Sequence, residues 1–304
     1  MLNVNPSPMR SLATGMIDHP WGKRSVGFAS WIPIPPRLVG YDSNAMPSWN
    51  IHTAHVERLL SDHRAEDLGI EDRNAFLFGN YVPDIYVGFM VPKASFHIDY
   101  CITHFAAINI IPIPDADLFW DYYIARRWPT SPVGLSLALG AWAHLVADRF
   151  YNGWFRTFSI EHDVPKGEEL RVMKQGDFHL FGNSLNISSY VSVTPELLDA
   201  AWSFHPYRIL ADDVERAVEV ANAIVQKSAT PTTDQGEYAL LSAEWMMSVL
   251  EACDERLITW LSAWQSLVAD GRCYRAADVR AEAGLPSAEF DDPNWLTRGK
   301  SPSA

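Results

Sequence analysis

The stretch LSLALGAWAHLVADRFYN, residues 135–152, is apolar or small at almost every position, yet it carries His144 and Asp148 four residues apart. The preceding PTSPVG marks it as a helix, because Ser131 is a capping residue and Pro132 suits a first-turn position that needs no backbone donor. A helix that is apolar on all sides belongs in a core. At 3.6 residues per turn Gly140, His144 and Asp148 fall on one face, where Gly140 admits a second backbone or an ion at close range. An unpaired buried carboxylate is costly, so Asp148 must meet a cation, a cluster of hydrogen-bond donors or a metal.

The rest of the chain has to build the core around that helix. From position 51 the pattern reads as helix after helix, with short Gly, Pro and Asn punctuation and few alternating runs that would make a sheet. SVTPELLDAAW supplies a Thr194 cap followed by Pro195, and RILADDVERAVEVANAIVQKS is amphipathic. Leu241, Trp245, Val249, Cys253, Leu257 and Leu261 recur at steps of four and predict one long helix ending near Gly271. The expected fold is therefore all-α, a single multi-helix domain over 46–275. Residues 1–45 are dense in proline and read as an extended arm, and the motifs open so sharply at Met46 that the natural product is expected to begin there. Residues 276–304 read as a short tail with only a short helical pattern, surface-bound or disordered.

A net charge of −13 and twelve Trp describe a folded acidic protein, which argues against binding long nucleic acid or anionic membrane through bulk charge. Three cysteines without CxxC spacing build neither a disulfide framework nor a thiolate zinc site. With no 18-residue apolar run and no signal-peptide core, the expectation is a cytoplasmic chain without a transmembrane segment.

Four other places put ligand-type residues in apolar or punctuated surroundings: His52 and His55 in WNIHTAHVERLL, Asp84 in FLFGNYVPDIY, His97, Asp99 and His104 in KASFHIDYCITHFAA, and Asp177 and His179 in MKQGDFHLFGN. Singly, each histidine reads equally well as a hydrogen-bonded core residue, and Asp84 as a turn or cap residue. Together they are imidazoles and carboxylates without sulfur, which suits a catalytic Zn²⁺, with Mn²⁺ or Fe²⁺ behind it, and leaves coordination positions for water.

These motifs, in order from MPSWNIHTAH through FLFGNYVPDI, THFAA and LALGAWAHLVAD to KQGDFHLFG, resemble the zinc-dependent phospholipase C family, which is related to the fungal single-strand zinc nucleases. The resemblance covers about residues 46–185. It implies an all-α fold with a metal cluster in a cleft between helices. On the matching positions His52 looks like the first-helix histidine ligand, Asp84 like the carboxylate bridging two metals, His104 like the following histidine with His97 as a nearby rival, and His144 and Asp148 like the HxxxD pair. Two positions depart from the pattern: secreted members use a processed N-terminal Trp as a ligand, whereas Trp49 is internal, and their next histidine is replaced by Trp154. Asp177, with His179, is the expected substitute, since KQGDFHLFG is similar to a segment of the family's intracellular branch. One or two ions are expected rather than three.

The resulting expectation is a zinc-dependent phosphoric ester hydrolase acting on a small phosphoester or a phospholipid-like substrate, with Asp84 orienting water or bridging the ions. Two alternatives stand beside it. His162 and Asp163 in EHDVPKG are similar to the doublet of HD metal phosphohydrolases, although Pro165 works against a helical doublet. A non-catalytic, metal-stabilised helical protein would need the same buried ligands. His19, His55, His63, His162 and His205 read as ordinary surface or core residues.

Overall fold

A computed structural model of the chain describes residues 48–286 except 89, 110, 127, 128, 130, 165, 166, 229–235 and 273. The expected arm, residues 1–45, lies outside the described residues. Every regular element described is helical: α1 (Trp49–Asp62), a 3₁₀ turn (Ala65–Leu68), α2 (Arg73–Gly79), α3 (Val82–Ile85), α4 (Tyr100–Thr103), α5 (Ala116–Phe119) continuing into a π turn (Trp120–Ile124), α6 (Pro132–Glu161), α7 (Glu168–Ser184), α8 (Pro195–Trp202), α9 (Ala211–Ser228), α10 (Ala243–Ala269) and α11 (Ala276–Glu282).

Two caps fall where the sequence placed them: Ser131 accepts the Gly134 N–H at 3.0 Å and Thr194 that of Leu197 at 3.1 Å. A third, Ser242, accepts the Trp245 N–H at 3.1 Å and starts α10. Helix α10 ends just before Gly271, whose φ of +63° is a conformation glycine adopts without strain. The short helical pattern at the start of the tail is α11, which buries Val279 and sends the Arg280 guanidinium to the Asp117 carboxylate.

Helix α6 is the axis of the fold, buried from Ser136 through Gly153 without a break. On one side Trp142 meets Trp120 and Trp260 with ring centroids 5.1 and 5.6 Å apart, an aromatic layer that ties α6 to α10. On the other side α2 lies directly on its backbone. A Cβ at Gly140 would sit 2.1 Å from the Phe76 carbonyl oxygen, and one at Gly79 would sit 2.2 Å from that of Leu137. The Ser136 hydroxyl accepts the Glu71 and Asp72 N–H groups at 3.1 and 2.9 Å, fixing the start of α2 against the same helix. This glycine contact sets the height of everything that follows α2, including Asn80 and the short α3.

Gly140→Ala is accordingly expected to destabilise the chain by on the order of 3 kcal/mol in urea unfolding, because backbone on both sides blocks relaxation. It should also disturb the polar face one turn further along α6. An unchanged unfolding midpoint would show that the two backbones are not in contact.

Candidate metal centre

Five side chains predicted from the sequence converge on that face. His52 comes from α1, Asp84 from α3, His104 from the end of α4, and His144 and Asp148 from α6; the ring and carboxylate groups of all but Asp84 are wholly buried. They make two overlapping three-residue donor groups, His52 with His144 and Asp148, and Asp84 with His104 and His144. Histidine 144 belongs to both.

The short helices owe their positions to packing, since four residues cannot hold a helix alone. Asp72 caps α2, and Asp99 caps α4 by accepting the Cys101 N–H at 2.8 Å. Helix α3 follows α2 after Asn80 and Tyr81, carrying Pro83 in its first turn. Asp84 is therefore neither a cap nor a turn residue. Its Oδ2 accepts the Trp49 indole N–H at 3.0 Å, which turns Oδ1 to within 3.5 Å of His104 Nε2 and 3.9 Å of His144 Nε2.

Hydrogen-bond partners settle the histidine tautomers. The His144 Nδ1 lies 2.7 Å from the Asn80 carbonyl oxygen, which can only accept, so Nδ1 carries the proton and Nε2 presents a lone pair. The Thr103 hydroxyl donates to the Tyr100 carbonyl at 3.3 Å and accepts from His104 Nδ1 at 2.8 Å, so His104 also presents Nε2. Those two Nε2 atoms face each other at 3.0 Å. Two lone pairs at that separation repel unless a positive charge lies between or beside them.

A proton is one source of that charge. Burial lowers the His144 pKa, but the Asp148 and Asp84 carboxylates outweigh it and raise the value to about 9. Burial works against ionised Asp148 too, yet the charge on His144, with the His104 and His52 rings 3.3 and 3.5 Å away, holds it well below the usual carboxylate range. Asp84 is pushed upward by burial despite both histidines. An imidazolium at His144 would thus pair with Asp148, 3.5 Å away. It would leave much undone. Both ring nitrogens of His52 and Oδ1 of Asp148 are buried without a hydrogen-bond partner, and burial beside His144 drives the His52 pKa down to about 3, so His52 stays neutral.

Each of the two donor groups could hold a metal ion. Ligands about 2.1 Å from a tetrahedral Zn²⁺ lie about 3.4 Å from one another. Here His52 Nε2 to Asp148 Oδ1 is 3.5 Å, His104 Nε2 to Asp148 Oδ2 is 3.3 Å and His104 Nε2 to Asp84 Oδ1 is 3.5 Å. The outer contacts are also those of a metal site, with imidazole N–H on a carbonyl or hydroxyl and each carboxylate held by a further donor.

Other expected ligands are elsewhere. Asp177 does not join the cluster: its Oδ1 accepts the Ala239 N–H at 2.7 Å and its Oδ2 those of Leu240 and Leu241 at 2.8 and 2.7 Å, anchoring the segment before α10. His179 is exposed on α7, its Nε2 accepting from Asn183, and exposed His97 lies against Gly88. His55, one turn from His52, faces Asp254 on α10 at 2.6 Å. His162 caps the far end of α6 with Asp163 beside it, both exposed, about 20 Å along the helix from Asp148.

Sequence reasoning weighed Trp49 only for its internal position and missed the role of its indole, and it missed Tyr100 altogether. The Tyr100 hydroxyl donates to Asp148 Oδ2 at 3.2 Å while its ring stacks on His104 at 3.7 Å. Both lie about one turn before an expected ligand, which was the available signal. Comparison with protein-family models, characterised proteins and solved structures returns no match to this chain.

Asp177→Asn should therefore leave metal content unchanged while costing about 3 kcal/mol of stability, because a carboxylate accepting three amides is replaced by a group with one acceptor oxygen. Elemental analysis alongside thermal melting separates these effects, and loss of metal from a folded variant would return Asp177 to the site.

Proposed function

We propose that the chain is a metal-dependent phosphoric ester hydrolase, with zinc as the ion and a small phosphoester or phospholipid-like molecule as substrate. The observation that carries this reading is the pair of donor groups sharing His144, which offers two adjacent cation positions beside one less buried carboxylate. Bound divalent ions supply Lewis acidity that lowers the pKa of water toward neutrality and draws charge from phosphoryl oxygens. The resemblance to the zinc-dependent phospholipase C family supports the same reading.

The chain's own groups divide the work. His52, His144 and Asp148 form the inner holding set, and Tyr100 covers His104 and steadies Asp148. Asp84 orients the attacking water and accepts its proton, since its carboxylate is the least buried of the five groups and Trp49 fixes which oxygen faces inward. Burial raises its proton affinity toward the range a general base needs. The −13 charge disfavours long nucleic acid. No described helix is long and apolar enough to cross a membrane, and Cys101 and Cys253 are free thiols, which fits a reducing, cytoplasmic setting.

Complete burial of His52, His104, His144 and Asp148 favours a second reading, in which the ion serves only to hold α1, α4 and α6 together. Turnover of bis(p-nitrophenyl) phosphate and p-nitrophenyl phosphate separates the two. Under the hydrolase reading Asp84→Asn lowers turnover by about 100-fold while the inner ion is retained, and Asp148→Asn loses ion and turnover together. A metal-replete chain that hydrolyses neither compound would favour the stabilising role.

A further inference from the structure

Lys174 is a buried lysine without an ion-pair partner among the described residues. Its side chain comes from α7 and points at α6, where Nζ donates to Asn152 Oδ1 at 3.0 Å and lies 4.6 and 5.4 Å from the ring centroids of Phe155 and Phe178. The residue is only 7% exposed. An ammonium has three donors, and here one has a hydrogen-bond acceptor among the described residues, with no carboxylate within ion-pair distance. Burying such a group is unfavourable unless an anion or further acceptors complete it. Two aromatic faces occupy two of its sides and cannot accept strong hydrogen bonds.

The place where this happens is informative. Asn152 is one helical turn from Asp148 on α6, so Nζ is bonded to a side chain one turn along the helix from the candidate metal centre. Asp148 is the carboxylate whose charge reaches it, opposing the burial that lowers the lysine pKa to about 8. Cations held at the centre would offset that carboxylate's charge and leave Lys174 facing a net positive cluster. An anion that accepts from the two remaining N–H donors, or loss of the lysine proton, relieves that arrangement.

We infer that Lys174 forms an anion subsite beside the metal centre and holds a phosphoryl oxygen of the substrate. The inference rests on the phosphoester reading for its choice of anion, but its test requires no turnover. The alternative, a lysine that serves only as a tether between α6 and α7, would keep the Asn152 bond and the aromatic contacts and would be indifferent to anions.

The probe is inorganic phosphate, titrated calorimetrically into the zinc-loaded full-length chain. Lys174→Met keeps the stem among the phenyl rings and removes the charge. It should weaken phosphate binding at least tenfold with zinc content unchanged, and Lys174→Arg should restore affinity to within about threefold, since a guanidinium also binds phosphate. A folded, zinc-replete Lys174→Met variant with wild-type phosphate affinity would overturn the subsite. Should that variant fail to fold, the wild-type chain with ¹³C-labelled lysine answers instead. Phosphate should raise the Lys174 pKa, and an unmoved titration curve would overturn the inference. Dimethyl phosphate in the same titrations distinguishes a diester source from a monoester. Phosphate binding through Lys174 without hydrolysis of any phosphoester would sink the hydrolase reading and keep the subsite, whereas turnover with an unchanged KM in Lys174→Met would do the reverse.

Discussion

Two imidazole nitrogens with their lone pairs 3.0 Å apart, in a cluster closed to water on most sides, demand a positive charge, and the architecture can be understood as the means of keeping that demand in place. Helix α6 supplies the low-dielectric surroundings that make it severe. Its apolar neighbours hold His144 and Asp148 away from water, where an unpaired lone pair or carboxylate is most costly. The glycine contact between α2 and α6 then sets the Asn80 carbonyl against His144 and so decides which nitrogen faces inward. Without that carbonyl the ring could turn its proton toward His104 and the conflict would vanish.

The elements that complete the centre are the least able to stand alone. Helices α3 and α4 have four residues each and take their conformation from what they pack against. Tyr86, two residues beyond Asp84, donates to Asp213 Oδ2 at 2.8 Å, and Asp213 Oδ1 accepts the Ser95 N–H at 3.0 Å, so α9 fixes both ends of the segment leading toward His104. The ligands are thus held by tertiary contacts on one side and by whatever cation they share on the other. Ion binding and folding would be coupled in such an arrangement, because the unfolded chain cannot assemble the donors.

Much of this was legible in the sequence, for identifiable reasons. The central helix announced itself through its cap, its proline and its unbroken apolar run, and the His144–Asp148 spacing placed both groups on one face. His52, Asp84 and His104 could be nominated because each stood out against apolar neighbours. Asp177 stood out in the same way, and there the signal misled. A buried carboxylate needs donors, and backbone amides meet that need as well as a metal does, yet amides of a segment sixty residues away leave no mark in a local pattern. Lys174 was invisible for the converse reason. Among the charged residues of α7 it looks like a solvated lysine, and only the packing of α7 on α6 shows that it is buried. The docking of α11 was missed similarly, since its burial comes from α5 and α10 rather than from its own seven residues.

The central claim is that a divalent cation, and not a proton, resolves the conflict around His144. Elemental analysis of the purified full-length chain, repeated after dialysis against a chelator with melting followed in parallel, tests it most directly. One or two divalent ions per chain are predicted, their removal should lower the melting temperature, and added zinc should restore it. A chain that contains no metal, and whose melting temperature responds neither to chelator nor to zinc, would show that His144 and Asp148 form a protonated pair and that the cluster is part of the core alone.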